Sequence, residues 1–144
     1  MVYEARHSQK LNFLLAGACL LLSVLGFAAA GVIPTASGSY PMVGGAIVAA
    51  CFLAAIVFIR RALDRKVQAR ADAQGLYARL VGPDCIPWSE ITGAHVIAAG
   101  IQRIARFERS GPSARTFGIN TTFYDRGIGE LVAAVRHYRP DLGL

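Results

Sequence analysis

Two stretches of this chain, Leu11 to Ile33 and Tyr40 to Ile59, hold no charged residue, and only Pro34-Thr35-Ala36-Ser37-Gly38-Ser39 separates them. As helices rising about 1.5 Å per residue they reach roughly 34 Å and 30 Å, against a bilayer hydrocarbon core of about 30 Å. The spacing predicts a membrane hairpin: one span over 11–33, a connecting loop over 34–39 and a second span over 40–59. Composition agrees, because the chain is 54% hydrophobic but only 9% aromatic, and the apolar excess lies in its first 60 positions. The remainder, from Lys66 to Leu144, is near the lower size at which a domain buries a sufficient core alone.

Charge sets the expected orientation. Arg6 and Lys10 precede the first run, and Arg60, Arg61, Arg65, Lys66 and Arg70 follow the second, whereas the connecting loop has no charge. The positive-inside rule therefore places both termini in the cytoplasm and the loop outside. Ala28-Ala29-Ala30-Gly31 after a basic lead has the look of a signal-peptide cleavage site. The length of the apolar stretch and the second span directly behind it argue for an uncleaved anchor. No ionisable residue falls inside either run, which removes the usual mark of a transporter or pump. Ala46, Ala50 and Ala54, with Gly45 and Ala49 alongside, form a small-residue face on the second run, and Gly17, Gly26 and Gly31 are its expected partners on the first. Cys19, Cys51 and Cys85 show no C-x-x-C spacing and read as reduced packing residues.

Beyond the hairpin, Arg60 to Ala73 (RRALDRKVQARADA) is rich in helix formers and predicts a basic juxtamembrane helix over 60–73. Arg60, Arg61, Arg65, Lys66 and Arg70 are thus candidate contacts for anionic lipid headgroups, each contributing about 1 kcal/mol at such a surface. The simpler role for the same charges is to fix topology. From Arg60 onward there are thirteen lysines and arginines against eight acids, but no interleaved aromatics and no nucleic-acid-binding motif, so no nucleic-acid partner is expected. Residues 74–144 alternate as strands. Leu76, Ala78 and Leu80 share one face, Cys85 to Trp88 return after a turn at Gly82-Pro83-Asp84, and Ala94–Ala99, Ile101–Glu108 and Arg115–Tyr124 follow. Ser110 to Ser113 reads as a turn. Ile128, Leu131, Val132, Val135 and Tyr138 make an apolar helical stripe with Asp125 as its expected cap. The fold class is a membrane α-helical hairpin plus a small α+β domain, an antiparallel sheet closed by a C-terminal amphipathic helix.

Two spans, the Asp72-to-Tyr77 segment (DAQGLY), then Ile86-Pro87-Trp88-Ser89-Glu90-Ile91, then strands and a closing helix, resemble small bacterial two-span membrane proteins with a pleckstrin-homology-like cytoplasmic domain. Among these is the STM3941-like family of unknown function. The motif residues are Ile86, Pro87, Trp88, Glu90 and Ile91. The resemblance implies a pleckstrin-like sheet; the region between Gly93 and Ser113 departs from the family pattern and is short for a complete seven-strand barrel, so one or two strands are expected to be missing or very short. It also implies a multi-pass location in the bacterial inner membrane, and it implies no activity.

The chemistry-bearing residues favour structural roles. Trp88 beside Ile86 and Ile91 reads as core, Glu90 as a turn acceptor or an arginine partner, and Arg103, Arg106 and Arg109 as solvated charge. His95 and His137 have no histidine or cysteine at ligand spacing, so no metal and no cofactor are expected. The chain is therefore expected to be a non-catalytic interaction or scaffold module. Its expected partners are the lipid bilayer, anionic headgroups, another membrane protein or a second copy in a homo-oligomer. The rival readings are an anionic-lipid sensor, an accessory subunit of a larger membrane complex and, further off, an anchored enzyme using Cys85 or Glu90.

Overall fold

The computed structural model describes residues 2–32, 40–111 and 115–144, and the chain divides into a unit of residues 9–64 and a unit of residues 1–8 with 65–144. The expected loop 34–39, and Pro112 and Ser113 of the expected turn, lie outside the described residues.

The first unit is a pair of helices, α1 (Gln9–Ala29) and α2 (Pro41–Leu63), both long and apolar enough to cross a membrane. The seam between them has coiled-coil spacing. On α1 the buried residues Asn12, Ala16, Ser23 and Gly26, with half-buried Cys19 between them, step by four and three; on α2 Gly44, Val48, Cys51 and Ala55 do the same. Contact is closest at the turn end, where a Cβ on Gly44 would meet the Ala30 nitrogen at 2.2 Å and the Gly26 oxygen at 2.6 Å. Glycine is what lets the two backbones touch there. The Ser23 hydroxyl donates to the Leu20 carbonyl at 2.6 Å, which satisfies it within its own helix.

This seam corrects the expected packing face. Gly45, Ala46, Ala49 and Ala50 are exposed and nothing lies near Gly17, so the contact falls on the Gly44 side of α2 instead. Gly31 is not a packing residue either. At φ +79° it ends α1 four residues before the expected Ile33, with the Val32 amide donating to the Phe27 carbonyl and the Gly31 amide to that of Ala28. Pro41 opens α2, where its missing N–H costs nothing.

The second unit holds two three-stranded antiparallel sheets and one helix. Strands β1 (Tyr3–Ala5), β2 (Ala69–Asp72) and β3 (Gly75–Ala78) form one sheet in that order; β4 (Ile91–Ala99), β5 (Gln102–Arg109) and β6 (Arg115–Asn120) form the other. Helix α3 (Ile128–Tyr138) follows. Tyr3, Ala5, Ala69, Ala71, Leu76, Ile91, Ala105, Phe107, Leu131 and Val135 are all buried in one core that draws on both sheets and α3. Phe107 stacks on its cross-strand partner Phe117 at 5.5 Å between ring centroids.

Several expectations for this unit are corrected. The residues before the first run include a strand not expected from the sequence: Tyr3, Glu4 and Ala5 pair with Ala71, Arg70 and Ala69, and the Ser8 amide donates to the Phe123 carbonyl. The basic helix expected over 60–73 stops at Leu63, and residues 69–72 are a strand. Alternation of Ala69 and Ala71 inward with Arg70 and Asp72 outward, paired on both sides, outweighs helix propensity there. Leu80 lies past the end of β3 and is 85% exposed, so it does not share the face of Leu76 and Ala78. The return expected over Cys85–Trp88 is a single bridge, Leu76 to Ile86, followed by one 3-10 turn over Trp88–Glu90. Pro87 has no N–H with which to continue a ladder. Asp125 does not cap α3: its carboxylate accepts the Arg6 amide at 2.8 Å, and Gly127 precedes the helix with no side-chain cap.

Candidate functional site: a basic cleft on the outer face of the first sheet

Because Ala69, Ala71, Leu76 and Ala78 turn into the core, the residues between them face outward. Arg70 stands directly across from Tyr77 in the β2–β3 register. The strands are joined by a tight turn in which the Asp72 carboxylate accepts the Gln74 amide at 2.9 Å. Gly75, at φ +150°, lets the Ile86 carbonyl approach so closely that a Cβ would lie 2.1 Å from it. That approach is fixed by two 2.8 Å backbone hydrogen bonds between Leu76 and Ile86, and it carries Pro83 and Cys85 alongside Tyr77.

Buried Gln68 organises the far rim. Its amide donates to the Ala5 carbonyl at 2.8 Å, its carbonyl accepts the Arg79 amide at 2.9 Å, and its side-chain nitrogen donates to the Lys66 carbonyl at 3.0 Å. One residue thereby fixes the backbone under two cations. The result is a cleft of about 360 Å³ lined by Lys66, Val67, Arg70, Tyr77, Arg79, Pro83 and Cys85. It lies within the ~300–1,000 Å³ range of ligand sites.

Lys66, Arg70 and Arg79 bring three cations to this wall. Asp72 Oδ2 lies 2.9 Å from Arg70 Nε, off the N–H axis, as an ion pair rather than a directed hydrogen bond. Burial pushes the Cys85 thiol above its ordinary pKa; the Asp72 charge adds to this and Arg70 opposes it. That direction is opposite to the lowering that activates a nucleophilic thiol.

The five basic candidates fall in different places. Arg60 and Arg61 are exposed in the last turn of α2, Arg65 is exposed beyond it, and Lys66 and Arg70 line the cleft. Tyr77, Arg79 and Cys85 complete the wall and were not legible as a group, since their convergence depends on the 69–78 hairpin and the Ile86 bridge. The motif residues have structural positions. Ile86 and Ile91 are buried, and Trp88 donates its indole N–H to the Asp72 carbonyl at 2.7 Å and stacks on Tyr138 at 5.7 Å. Glu90 accepts from Arg109 Nε at 2.7 Å, so Arg109 is paired rather than merely solvated. Arg139, not singled out from the sequence, donates to the Trp88 and Ile91 carbonyls and pairs with Asp141. His95 and His137 are exposed, and among the described residues no three His, Cys, Asp or Glu side chains are grouped to hold a metal ion.

Comparison with known proteins finds no matching family model, no matching curated protein and no matching solved structure.

Proposed function

We propose that the chain is a non-catalytic, membrane-anchored interaction module: α1 and α2 cross the bacterial inner membrane, both termini are cytoplasmic, and the α+β unit is displayed at that face. The observation that carries this reading is the inverted distribution of side chains in the hairpin. Small and polar residues fill the seam, while Leu21 (74% exposed), Leu25 (64%) and Met42 (90%) stand outside it. Water would make such a surface an aggregation liability, whereas lipid tails cover it at no cost. The pairing of β1 with β2 supports an even number of crossings, because it ties the residues before α1 to those after α2 in one folded unit. It also supports retention of the first helix, since cleavage after Ala30 would remove Tyr3 from the core.

The α+β unit supports an interaction role through what it offers: strand edges at β4 and β6 and a polar cleft. Two antiparallel sheets with a closing helix agree with the pleckstrin-like resemblance in outline, and that fold is part of the proposal. The test is photo-crosslinking of tagged full-length protein in its native membrane, followed by affinity capture. A defined protein partner, recovered equally when Arg60, Arg61 and Arg65 are neutralised, is the expected result. Recovery of no protein, with turnover of a small molecule by the purified chain, would overturn it.

A further inference from the structure

We propose that the open edge of β4, residues 93–99, pairs antiparallel with the same edge of a second copy of this chain. In the second sheet β5 lies between β4 and β6, so β4 has a partner strand on one side only. Such an edge presents unpaired N–H and C=O groups, and proteins that stay single blunt it with charge, proline or a bulge. β4 has such protection at its start alone: the register shifts between Ile91 and Gly93, and Arg139 donates to the Ile91 carbonyl at 3.1 Å. From Gly93 to Ala99 the strand reads GAHVIAA, with no lysine, arginine, aspartate, glutamate or proline. The opposite edge differs, since β6 opens on exposed Arg115.

Burial also fades along β4. Ala94, Val96 and Ala98 stand across from Phe107, Ala105 and Arg103, and so share the core-facing row of the sheet. Ile91 at the head of the strand is 0% exposed, yet Val96 is 42% exposed, Ala98 is exposed, and Ile101 in the turn to β5 is 88% exposed. An apolar row left uncovered beside an open edge marks a contact surface. The strand suits a copy of itself because it is nearly symmetric about Val96, with Ala94 and Ala98 two residues to either side and the larger His95 and Ile97 next to it. On a two-fold axis through Val96 the two valines meet, Ala94 faces Ala98 and His95 faces Ile97, so no like charges stand opposed. Two three-stranded sheets then join as one of six strands. The proposal rests on the interaction-module reading and names its partner, and confinement of both copies to one bilayer raises their effective concentration.

The experiment uses the full-length chain with Cys19, Cys51 and Cys85 replaced by alanine, in isolated membranes and in detergent. Val96→Cys is expected to give a disulfide-linked dimer with copper phenanthroline, because directly opposed strand residues lie within disulfide reach. Thr116→Cys, exposed on β6, is expected to give none. Val96→Lys sets like charges on the axis and is expected to raise the dimer dissociation constant about fivefold or more in sedimentation equilibrium, with Thr116→Lys within about twofold. The crosslink keeps the proposal testable should the lysine disturb folding. A monomer at every concentration with no Val96 crosslink, a folded Val96→Lys that dimerises as tightly as the parent, or a Val96 crosslink only to a different protein overturns the proposal. Release of the crosslinked dimer from membranes by alkaline carbonate would instead contradict the membrane reading and leave the edge pairing standing.

Discussion

Tyr3 is the residue on which the N-terminal lead depends. It is 1% exposed, its hydroxyl donates to the Arg126 carbonyl at 3.3 Å, and burial pushes its phenol well above the ordinary range. Truncating a buried aromatic typically costs about 3–5 kcal/mol, so Tyr3→Ala is expected to lower the melting temperature of the α+β unit sharply in the reconstituted protein. Tyr3→Phe loses only the hydroxyl bond, about 1 kcal/mol. Equal, small shifts for both would show that β1 is not part of the core. Cys85 makes a second prediction. A thiol whose folded-state pKa is raised contributes stability that is fully present below the unfolded value of about 8.5 and is lost as pH rises through the folded value. Stability should therefore be level below pH 8 and decline above it, with a shallower decline in Cys85→Ser. Iodoacetamide at pH 8 should modify Cys85 more slowly than a free thiol, and rapid modification would contradict the upward shift.

At the scale of elements, the hairpin contact gives a paired test. Gly44→Ala would place a methyl group 2.2 Å from the Ala30 backbone, whereas Gly45→Ala meets nothing within 4 Å. The first is expected to separate the helices and the second to be neutral, as read by disulfide crosslinking between cysteines placed along the two helices. The two apolar runs and the stripe of α3 are legible because each repeats with the period of its own element. What escaped was β1 and β2. Their core residues are Ala5, Ala69 and Ala71, and alanine suits a helix as readily as a buried strand. The partner of β1 also lies more than sixty residues away, beyond the reach of any local pattern. The cleft shared that obscurity: Lys66 and Arg70 were visible as charges, but Tyr77, Arg79 and Cys85 join them only once residues 69–78 are folded as a hairpin rather than continued as a helix.

For the whole molecule, the residues before α1 and those after α2 meet in one folded unit, and the stretch between them holds two helices long and apolar enough to cross a membrane. If both helices span, as proposed, β1 reaches its sheet only when α2 brings the chain back to the side from which α1 left. Removal of residues 2–8 should leave the helices inserted and the α+β unit sensitive to protease. The proposed topology is tested by cysteine mapping of orientation in intact cells that express the protein. In a background with Cys19, Cys51 and Cys85 replaced by alanine, single cysteines are placed at Val2, Ser37 and Ala73 and treated with a membrane-impermeant maleimide. Ser37→Cys is expected to label in intact cells, and Val2→Cys and Ala73→Cys only after the cells are opened. Labelling of Val2→Cys or Ala73→Cys in intact cells, or release of the protein from membranes by alkaline carbonate, would contradict it.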